Sequence, residues 1–178
     1  LGSVGAMPRA LPTAFLGTTF SERDAWKALE RGGLDRTDMA SKQSPFGTRG
    51  DIERVAALLS NGNVVARCQG AMEWGPRALG NRSVLARATD PDITNWLNEK
   101  LRRTEFMPFA PMVRAEDAPR WFKGLDRIPE ASRFMTVCVD CTDEFREKAP
   151  AAVHVDGTAR PQVIDAERDP DLHALLTR

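Results

Sequence analysis

The side chains best suited to chemistry lie together in the middle of the chain, in GPRALGNRS at residues 75–83. Arg77 and Arg82 carry guanidinium groups, which form charged bidentate hydrogen bonds with phosphate. The other polar side chains of this loop are those of Asn81 and Ser83. The grouping predicts a loop that holds a phosphorylated ligand, with a nucleotide as the first candidate. The alternative is a structural turn with two solvated arginines, because glycine-rich motifs also arise by chance.

Two residues of this loop suit a short helical turn. Pro76 fits the first helical position, where its missing N–H would be unpaired in any case, and Gly80 fits the position that ends the turn. Because exposed amides at a helix start attract phosphate, the sequence predicts a backbone contribution to the same site.

A second candidate group follows in VHVDGTAR at residues 153–160. If this stretch is extended, His154 and Asp156 point to the same face beside the Gly157 turn. Arg160 adds a cation, so the group could recognise a ligand, with His154 donating to a phosphate or an oxyanion. An Asp-Gly dipeptide most often signals a hairpin, and a hairpin with a hydrogen-bonded histidine is the favoured alternative.

Three cations, Lys100, Arg102 and Arg103, precede a stretch that two prolines stiffen, MPFAP at residues 107–111. Near the end of a helix such cations complement the helix dipole and stay solvated. One or two of them could instead face the same phosphate as Arg77, since a rigid neighbouring loop pre-organises a site.

No pattern in the sequence completes a metal site or a familiar nucleophile motif. Cys138 and Cys141 have the spacing of a metal or redox pair, but structural zinc needs four ligands and no second close pair is present. The sequence also lacks a Walker A loop and the Gly-x-Ser-x-Gly motif of serine hydrolases. We therefore predict no metal site formed by the protein alone.

Composition indicates a globular protein and limits its partners. The chain has 178 residues, of which 42% are hydrophobic, and this allows a sizeable core. The 25 basic residues equal the 25 acidic ones, so no overall charge draws the protein to nucleic acid or to a membrane. No apolar run reaches the roughly 20 residues that span a bilayer, and no signal peptide is visible. Three cysteines, an odd number, argue against a disulfide framework and indicate the cytoplasm.

Helices and strands are predicted to alternate, which indicates a mixed α/β class. Ser21 and Asp24 signal a capped helix that ends at Gly32, and the clearest amphipathic helix covers residues 51–59. Further helices are predicted over residues 90–100 and 115–122, with a short one within residues 140–150, and residues 169–176 are predicted to be a final helix or a frayed tail. Strands are predicted over residues 64–66, 83–88, 112–114, 133–139, 152–155 and 162–164. Residues 1–20 are predicted to be extended and residues 34–49 to be loop, with residues 1–12 a linker or a remnant of processing.

Taken together, the motifs resemble the signatures of the O-carbamoyltransferase family, which includes enzymes that carbamoylate nodulation factors, tobramycin and cephamycin. The family's first signature is similar to QGAMEWGPRALGNRS at residues 69–83, its second to MPFAP, and its third to VHVDGTARPQV at residues 153–163. The likeness begins at about residue 13. Residues 13–178 are therefore predicted to be one C-terminal domain of this family.

The resemblance implies an enzyme with two parts. The family's N-terminal part resembles the actin-like ATPase fold and transfers the carbamoyl group to an acceptor hydroxyl. Its C-terminal part has a YrdC-like fold, a twisted mixed sheet with flanking helices, and makes carbamoyl-adenylate from carbamoyl phosphate and ATP. Since the chain resembles only this second part, the implied partners are small-molecule substrates and a missing N-terminal domain, and a homodimer is compatible with the likeness. The implied cofactors are ATP and the Mg²⁺ that accompanies it.

The resemblance also assigns roles to residues. It implies Arg77, Arg82 and Arg103 as clamps on phosphate or carbamoyl phosphate, because positioned cations stabilise the charge of phosphoryl transfer. The other residues implied to bind substrate or nucleotide are Asn81, Ser83, Lys100, His154, Asp156, Thr158 and Arg160. Relatives commonly carry basic residues at three positions where this chain does not, Ala71, Leu101 and Met107. These departures put phosphate affinity and substrate choice in question.

Two other functions are open on the sequence alone. A YrdC-like surface could bind nucleotide or RNA without turnover, and the missing basic residues favour this interpretation; RNA is the less favoured ligand because the chain has no net charge. A purely structural domain predicts that replacing Arg77 or Arg82 changes no ligand affinity. The acceptor substrate and the oligomeric state do not follow from the sequence.

Overall fold

The computed structural model describes residues 11–33, 49–104 and 108–178, so the loop predicted before residue 49 lies outside the described residues. Helix α1, Glu22–Arg31, begins where the sequence predicts it. The Ser21 hydroxyl accepts a hydrogen bond from the Asp24 amide at 3.2 Å, and the Asp24 carboxylate accepts one from the Ser21 amide at 3.2 Å. This capping box satisfies two donors that the first turn leaves unpaired, and Gly32 caps the end of the helix as predicted.

The remaining helices divide into longer ones that follow the predicted pattern and short ones. The longer helices are α2, Arg49–Ser60, α3, Ile93–Lys100, and α7, Pro170–Leu176. The short ones are α4, Ala118–Trp121, α5, Pro129–Ser132, and α6, Asp143–Lys148. The helix predicted over residues 115–122 shortens to α4 because a turn precedes it, in which the Asp117 amide donates to Arg114 O at 3.1 Å.

Six short strands form three two-stranded pairs among the described residues. The antiparallel pairs are β1 (Val65–Cys68) with β2 (Arg82–Leu85) and β4 (Val139–Asp140) with β5 (Thr158–Ala159). The parallel pair is β3 (Met112–Arg114) with β6 (Gln162–Ile164). The mixed α/β class is confirmed, and within the described residues its strands pair two by two and do not join in one sheet.

The strand predicted over residues 133–139 is wrong. The chain turns there after α5, and Met135 takes a positive φ of 53°. The hydroxyl of Thr136 donates to Ala131 O at 2.7 Å, which ties the segment back to the helix. β-branched residues suit a strand, but a side-chain hydrogen bond to a nearby carbonyl competes with strand pairing. Only β4 forms, at the end of the predicted range.

The strand predicted over residues 152–155 is also wrong, and with it the hairpin to residues 162–164. Pro150–Ala152 form a turn of 3₁₀-helix, which proline favours at its start. The Asp-Gly turn itself is present, since the His154 amide donates to Thr158 O at 2.7 Å and the Gly157 amide donates to His154 O at 2.9 Å. The strands that follow the turn pair elsewhere, β5 with β4 and β6 with β3.

Two apolar clusters anchor the stretches that the sequence singled out. In the main cluster, the rings of Phe122 and Phe145 lie 4.7 Å apart, and Ala159 of β5 is fully buried. A smaller cluster contains Leu79, which is 4% exposed. The two stretches, residues 75–83 and 153–160, are therefore each anchored by one buried residue. Their polar side chains lie outside the apolar clusters.

Candidate functional site

The loop at residues 75–80 is a series of bends and irregular backbone, and the helical turn predicted from Pro76 is absent. The Glu73 carboxylate explains the difference. Its Oε1 accepts hydrogen bonds at 2.9, 2.7 and 2.9 Å from three backbone amides, those of Leu79, Asn81 and Arg82. The loop therefore wraps around an anion of its own and does not present the start of a helix.

Glu73 takes the place expected for a phosphate. Partial burial acts to raise the pKa of Glu73, but the backbone hydrogen bonds outweigh burial and hold the pKa below its usual value. Glu73 is thus ionised at neutral pH. The amide of Gly80 donates to the Ser83 hydroxyl at 2.8 Å. The amides of Leu79, Gly80, Asn81 and Arg82 are therefore satisfied inside the protein.

Three predicted site residues build this loop, namely Asn81, Arg82 and Ser83. The Asn81 Nδ2 donates to Ala71 O at 2.8 Å. The Arg82 guanidinium donates to Gln69 O at 2.7 Å and to Gly70 O at 3.0 Å. Their polar atoms hold the loop's own backbone, which makes them positioning residues for any ligand that the loop binds.

Arg67 also holds this loop in place, although no motif of the sequence points to it. From β1 it donates through Nη1 to Gly80 O and through Nη2 to Gln69 Oε1, the latter at 2.7 Å. The Gln69 Nε2 donates in turn to the carboxylate of Asp171. Burial lowers the pKa of Arg67, and the charge of Asp171 opposes that shift. The available signal was strand periodicity, which places Arg67 and Gln69 on one face.

Arg77 differs from these neighbours. Its side chain is half-buried, and within the described residues no hydrogen bond or ion pair engages its guanidinium. Of the two arginines in the first signature, Arg82 is held by the loop and Arg77 is available to a ligand.

His154, Asp156 and Thr158 meet in one turn. The Thr158 hydroxyl donates to Asp156 Oδ1 at 2.8 Å and lies 2.9 Å from His154 Nδ1. The Thr158 amide also donates to Asp156 Oδ1, at 2.9 Å. The backbone and side-chain hydrogen bonds from Thr158 lower the pKa of Asp156. The structure thus brings His154 and Asp156 together through Thr158.

Arg160 directly follows β5 and its fully buried Ala159. Its Nε is buried and has no hydrogen-bond partner. No described residue forms an ion pair with its guanidinium. Buried polar groups are nearly always hydrogen-bonded, so this unpaired donor is unusual.

Lys100 and Arg103 form a third group, on and after α3, where each cation lies against an aromatic ring. The Lys100 Nζ is 5.8 Å from the centre of the Trp96 ring, and the Arg103 guanidinium carbon is 4.7 Å from the centre of the Phe109 ring. Cation–π attraction holds both side chains. Met107, in the second signature, lies outside the described residues.

Two contacts join the first and third signatures and the last helix. The Nε2 of Gln162, a residue 2% exposed, donates to Leu79 O at 2.7 Å. Leu172 of α7 packs so closely on Gly80 that a Cβ there would lie 2.3 Å from its Cδ1. A cavity of about 30 Å³ lies beside Leu79 and Gln162.

The two cysteines of the Cys138–Cys141 pair lie in different environments. Cys138 is exposed, whereas Cys141 is fully buried, and burial raises the pKa of Cys141 to about 11. The Cys141 thiol is therefore protonated at neutral pH. Across the described ranges, no three His, Cys, Asp or Glu side chains are grouped so as to hold a metal ion. None of the described helices is long and apolar enough to cross a membrane.

Comparison with known proteins supplies a family. A family model described as the carbamoyltransferase C-terminus matches residues 56–178, which include all three signatures. The 3'-hydroxymethylcephem-O-carbamoyltransferase of Streptomyces clavuligerus is 35% identical over 168 residues, which cover 93% of this chain and 30% of that protein. Nodulation protein U of Sinorhizobium fredii is 40% identical over 113 residues, which cover 64% of this chain and 20% of that protein. An uncharacterized protein of Synechocystis is 30% identical over an alignment of 191 positions, which covers 95% of this chain and 29% of that protein. The chain thus spans 20% to 30% of the length of these relatives.

Proposed function

We propose, from the premise that this chain belongs to the carbamoyltransferase family as a C-terminal part, that it makes carbamoyl-adenylate from carbamoyl phosphate and ATP. Carbamoyl phosphate is hydrolysed to carbamate and phosphate, and a carbamate oxygen then attacks the α-phosphorus of ATP. A new phosphorus–oxygen bond forms as the bond to the β-phosphate breaks, and pyrophosphate leaves. The observation that carries this proposal is the family match across all three signatures.

Two arginines of the matched region support the choice of phosphate-bearing substrates. Arg77 has no internal partner among the described residues, and the buried Nε of Arg160 has none either. A guanidinium without a protein partner suits a phosphate oxygen, with which it forms bidentate charged hydrogen bonds. Phosphoryl transfer is catalysed almost entirely by positioning and charge stabilisation, which these two side chains can supply.

The other predicted residues take supporting roles in this proposal. Asn81, Arg82 and Ser83 hold the loop that carries Arg77. Lys100 and Arg103, seated on aromatic rings, are assigned to a second phosphate-binding surface. Mg²⁺ would arrive with the phosphates of ATP, because it is usually bound by one or two carboxylates together with substrate phosphates.

The complete transfer reaction is proposed to need more protein than this chain. The relatives are more than three times longer. We assign the transfer of the carbamoyl group to an acceptor hydroxyl to a domain that resembles the actin-like fold, with this chain as its adenylating partner. The three free cysteines support a cytoplasmic setting for the reaction.

The adenylation step is tested by ATP–pyrophosphate exchange with and without carbamoyl phosphate. We expect exchange that requires carbamoyl phosphate and that falls at least tenfold in Arg77→Ala, since a charged hydrogen bond to phosphate is lost. Arg127→Ala is the matched control, because Arg127 is exposed and makes no hydrogen bond or ion pair within the described residues. Exchange that is equal in the two variants would remove Arg77 from the site, and exchange without carbamoyl phosphate would contradict the reaction.

A second candidate function is nucleotide or RNA binding without turnover. It is favoured by Glu73, which occupies the amides of Leu79, Asn81 and Arg82 and so leaves fewer backbone donors for a phosphate. Calorimetry that detects ATP binding by a protein without pyrophosphate exchange would support this module. RNA binding that weakens steeply with salt would identify the RNA version.

A further inference from the structure

The turn at residues 154–158 fixes where one proton lies. Asp156 is ionised at neutral pH and can only accept hydrogen bonds. The Thr158 hydroxyl has a single proton, which it donates to Asp156 Oδ1 at 2.8 Å. The contact of 2.9 Å between Thr158 Oγ1 and His154 Nδ1 must therefore take its proton from the histidine. The neutral His154 ring is then the tautomer with a proton on Nδ1 and a lone pair on Nε2.

The backbone holds this arrangement rigidly. The amides of Thr158 and His154 both bond within the turn, to Asp156 Oδ1 at 2.9 Å and to Thr158 O at 2.7 Å. The Arg146 guanidinium covers Gly157, whose Cβ would lie 2.8 Å from it, and Gly157 has a φ of +81°. Ala159, next in the chain, is fully buried. The turn is thus anchored on one side and presents His154 on the other.

We propose that Asp156 and Thr158 are positioning residues that present His154 Nε2 as a hydrogen-bond acceptor to a substrate N–H or O–H group adjoining a phosphate. The Nε2 atom makes no hydrogen bond within the described residues, and the ring is half-buried. The identity of the substrate rests on the proposed function. Either the amide of carbamoyl phosphate or a ribose hydroxyl of ATP carries the required donor.

Arg160 supplies the phosphate half of this recognition. It follows Thr158 by two residues, directly after β5, and its Nε has no hydrogen-bond partner. A substrate with a phosphate near a hydrogen-bond donor meets a cation at Arg160 and an acceptor at His154. A neutral, fixed Nε2 also discriminates, because it repels an unprotonated oxygen that offers only lone pairs.

The tautomer is measured directly by long-range proton–nitrogen NMR on protein labelled with ¹⁵N-histidine, above the pH at which the rings titrate. The chain has 2 histidines, and they should give opposite results. His173 places its Nε2 2.8 Å from Glu116 Oε1, so its proton belongs on Nε2, whereas that of His154 belongs on Nδ1. A His173→Gln variant assigns the signals.

Two substitutions at Thr158 test the relay, meaning the hydrogen bonds that run from Asp156 through Thr158 to His154. They separate a loss of the relay from general disruption of the turn. Thr158→Ser keeps the hydroxyl and should keep the Nδ1–H tautomer of His154. Thr158→Val keeps the shape and loses the hydroxyl, and His154 should then revert toward the Nε2–H form that free histidine prefers. An Nε2–H tautomer of His154 in the unaltered protein, or no change in Thr158→Val, overturns the relay.

Titration with each substrate alone identifies the group that His154 meets. A shift of the His154 Nε2 resonance with carbamoyl phosphate assigns the amide, and a shift with Mg²⁺–ATP assigns the ribose hydroxyl. We expect the affinity of that substrate to fall roughly tenfold in Thr158→Val, about the value of one hydrogen bond. If neither substrate shifts Nε2, the recognition role is wrong. The tautomer is read without substrate, so its result stands whether or not pyrophosphate exchange is detected.

Discussion

The loop around Gly80 and the turn around Gly157 contain the same kinds of residue and use them in opposite ways. In the loop, Glu73 accepts three amides and Arg82 donates to carbonyls, so the polar groups satisfy one another. In the turn, the hydrogen bonds run in a line from Asp156 through Thr158 to His154. The far nitrogen of that ring has no partner within the described residues.

The loop around Gly80 and the turn around Gly157 differ in whether their hydrogen bonds leave an atom free for a ligand. A closed network fixes the backbone and leaves little for a ligand, whereas an open line fixes a side chain and leaves its last atom for a ligand. In the first signature, Arg77 alone of the two arginines retains that freedom among the described residues. Residue types in a glycine-rich motif therefore do not reveal which arginine binds, because both would suit a phosphate equally well.

The largest expected effect comes from Gly80→Ala, which tests how tightly the closed loop is packed. Gly80 and Gly75 have nearly the same φ, 117° and 118°, but a Cβ on Gly80 would meet Leu172 at 2.3 Å while one on Gly75 meets nothing within 4 Å. We expect Gly80→Ala to lower the free energy of unfolding by roughly 4 kcal/mol, from strain and overpacking together. Gly75→Ala, with strain alone, should lower it by about 1–2 kcal/mol. Urea unfolding measures both, and equal losses would show that Leu172 yields.

Removal of the loop's central acceptor should have the next largest effect. Glu73→Ala leaves the amides of Leu79, Asn81 and Arg82 without their acceptor. We expect a loss of roughly 3 kcal/mol in the free energy of unfolding, and about 1 kcal/mol for Glu73→Gln, which keeps a neutral oxygen. Similar losses in the two variants would mean that the carboxylate charge does not matter to the loop.

The same carboxylate makes stability depend on pH. In the folded protein its pKa is lowered from 4.5, so the native state favours the ionised form. The stability that it contributes is complete well above pH 4.5 and is lost as the pH falls through the lower, folded-state pKa. The difference in unfolding free energy between the unaltered protein and Glu73→Gln should therefore shrink on acidification from neutral pH. A constant difference in urea unfolding would contradict the assignment.

Arginine substitutions test the contrast within the first signature. Arg82→Ala removes hydrogen bonds to the carbonyls of Gln69 and Gly70 and should cost about 1–2 kcal/mol in urea unfolding. Arg77→Ala should change stability by less than about 0.5 kcal/mol, because no internal partner is lost. If Arg77→Ala proved the more destabilising, the division of the two arginines into structural and available would be wrong.

The smallest expected effect is that of replacing Arg160, in the third signature. Arg160→Met keeps an unbranched apolar stem and removes the buried Nε that has no partner. The free energy of unfolding should stay within about 0.5 kcal/mol or rise, because an unsatisfied buried donor is eliminated. A loss above 1 kcal/mol in thermal or urea unfolding would show that the guanidinium supports the fold itself.

The sequence was sufficient where structure depends on neighbouring residues. Ser21 and Asp24 form the capping box that their spacing predicts, and helix α2 covers the residues whose apolar period predicts it. The sequence was insufficient where the local structure depends on hydrogen bonds between distant residues or on side-chain hydrogen bonds that compete with strand pairing. The bond from Thr136 to Ala131 turns a strand-like segment into a bend, and it had no distinctive signal among β-branched residues.

The candidate site shows the same division. The three signatures were found from residue types. The shared face predicted for His154 and Asp156 assumed an extended chain, whereas the two residues meet through Thr158 in a turn. The role of Glu73 was missed, although it lies inside the first signature. A carboxylate there is compatible with metal binding, catalysis or capping, and only the path of the loop brings three amides to it. That path depends on Gln162, far along the chain, which holds Leu79 O.

The loop around Gly80 is locked by residues that are made long after it. Leu79 is bonded to Gln162, 83 positions later, and Gln69 to Asp171, 102 positions later. At ribosomal rates of roughly 5–20 residues per second, the locking residues follow by about 5–20 s. Closing such long loops is also slow in entropic terms. We expect the first signature to remain open to proteases and chaperones during that interval, and to reach its final shape only once α7 has left the ribosome.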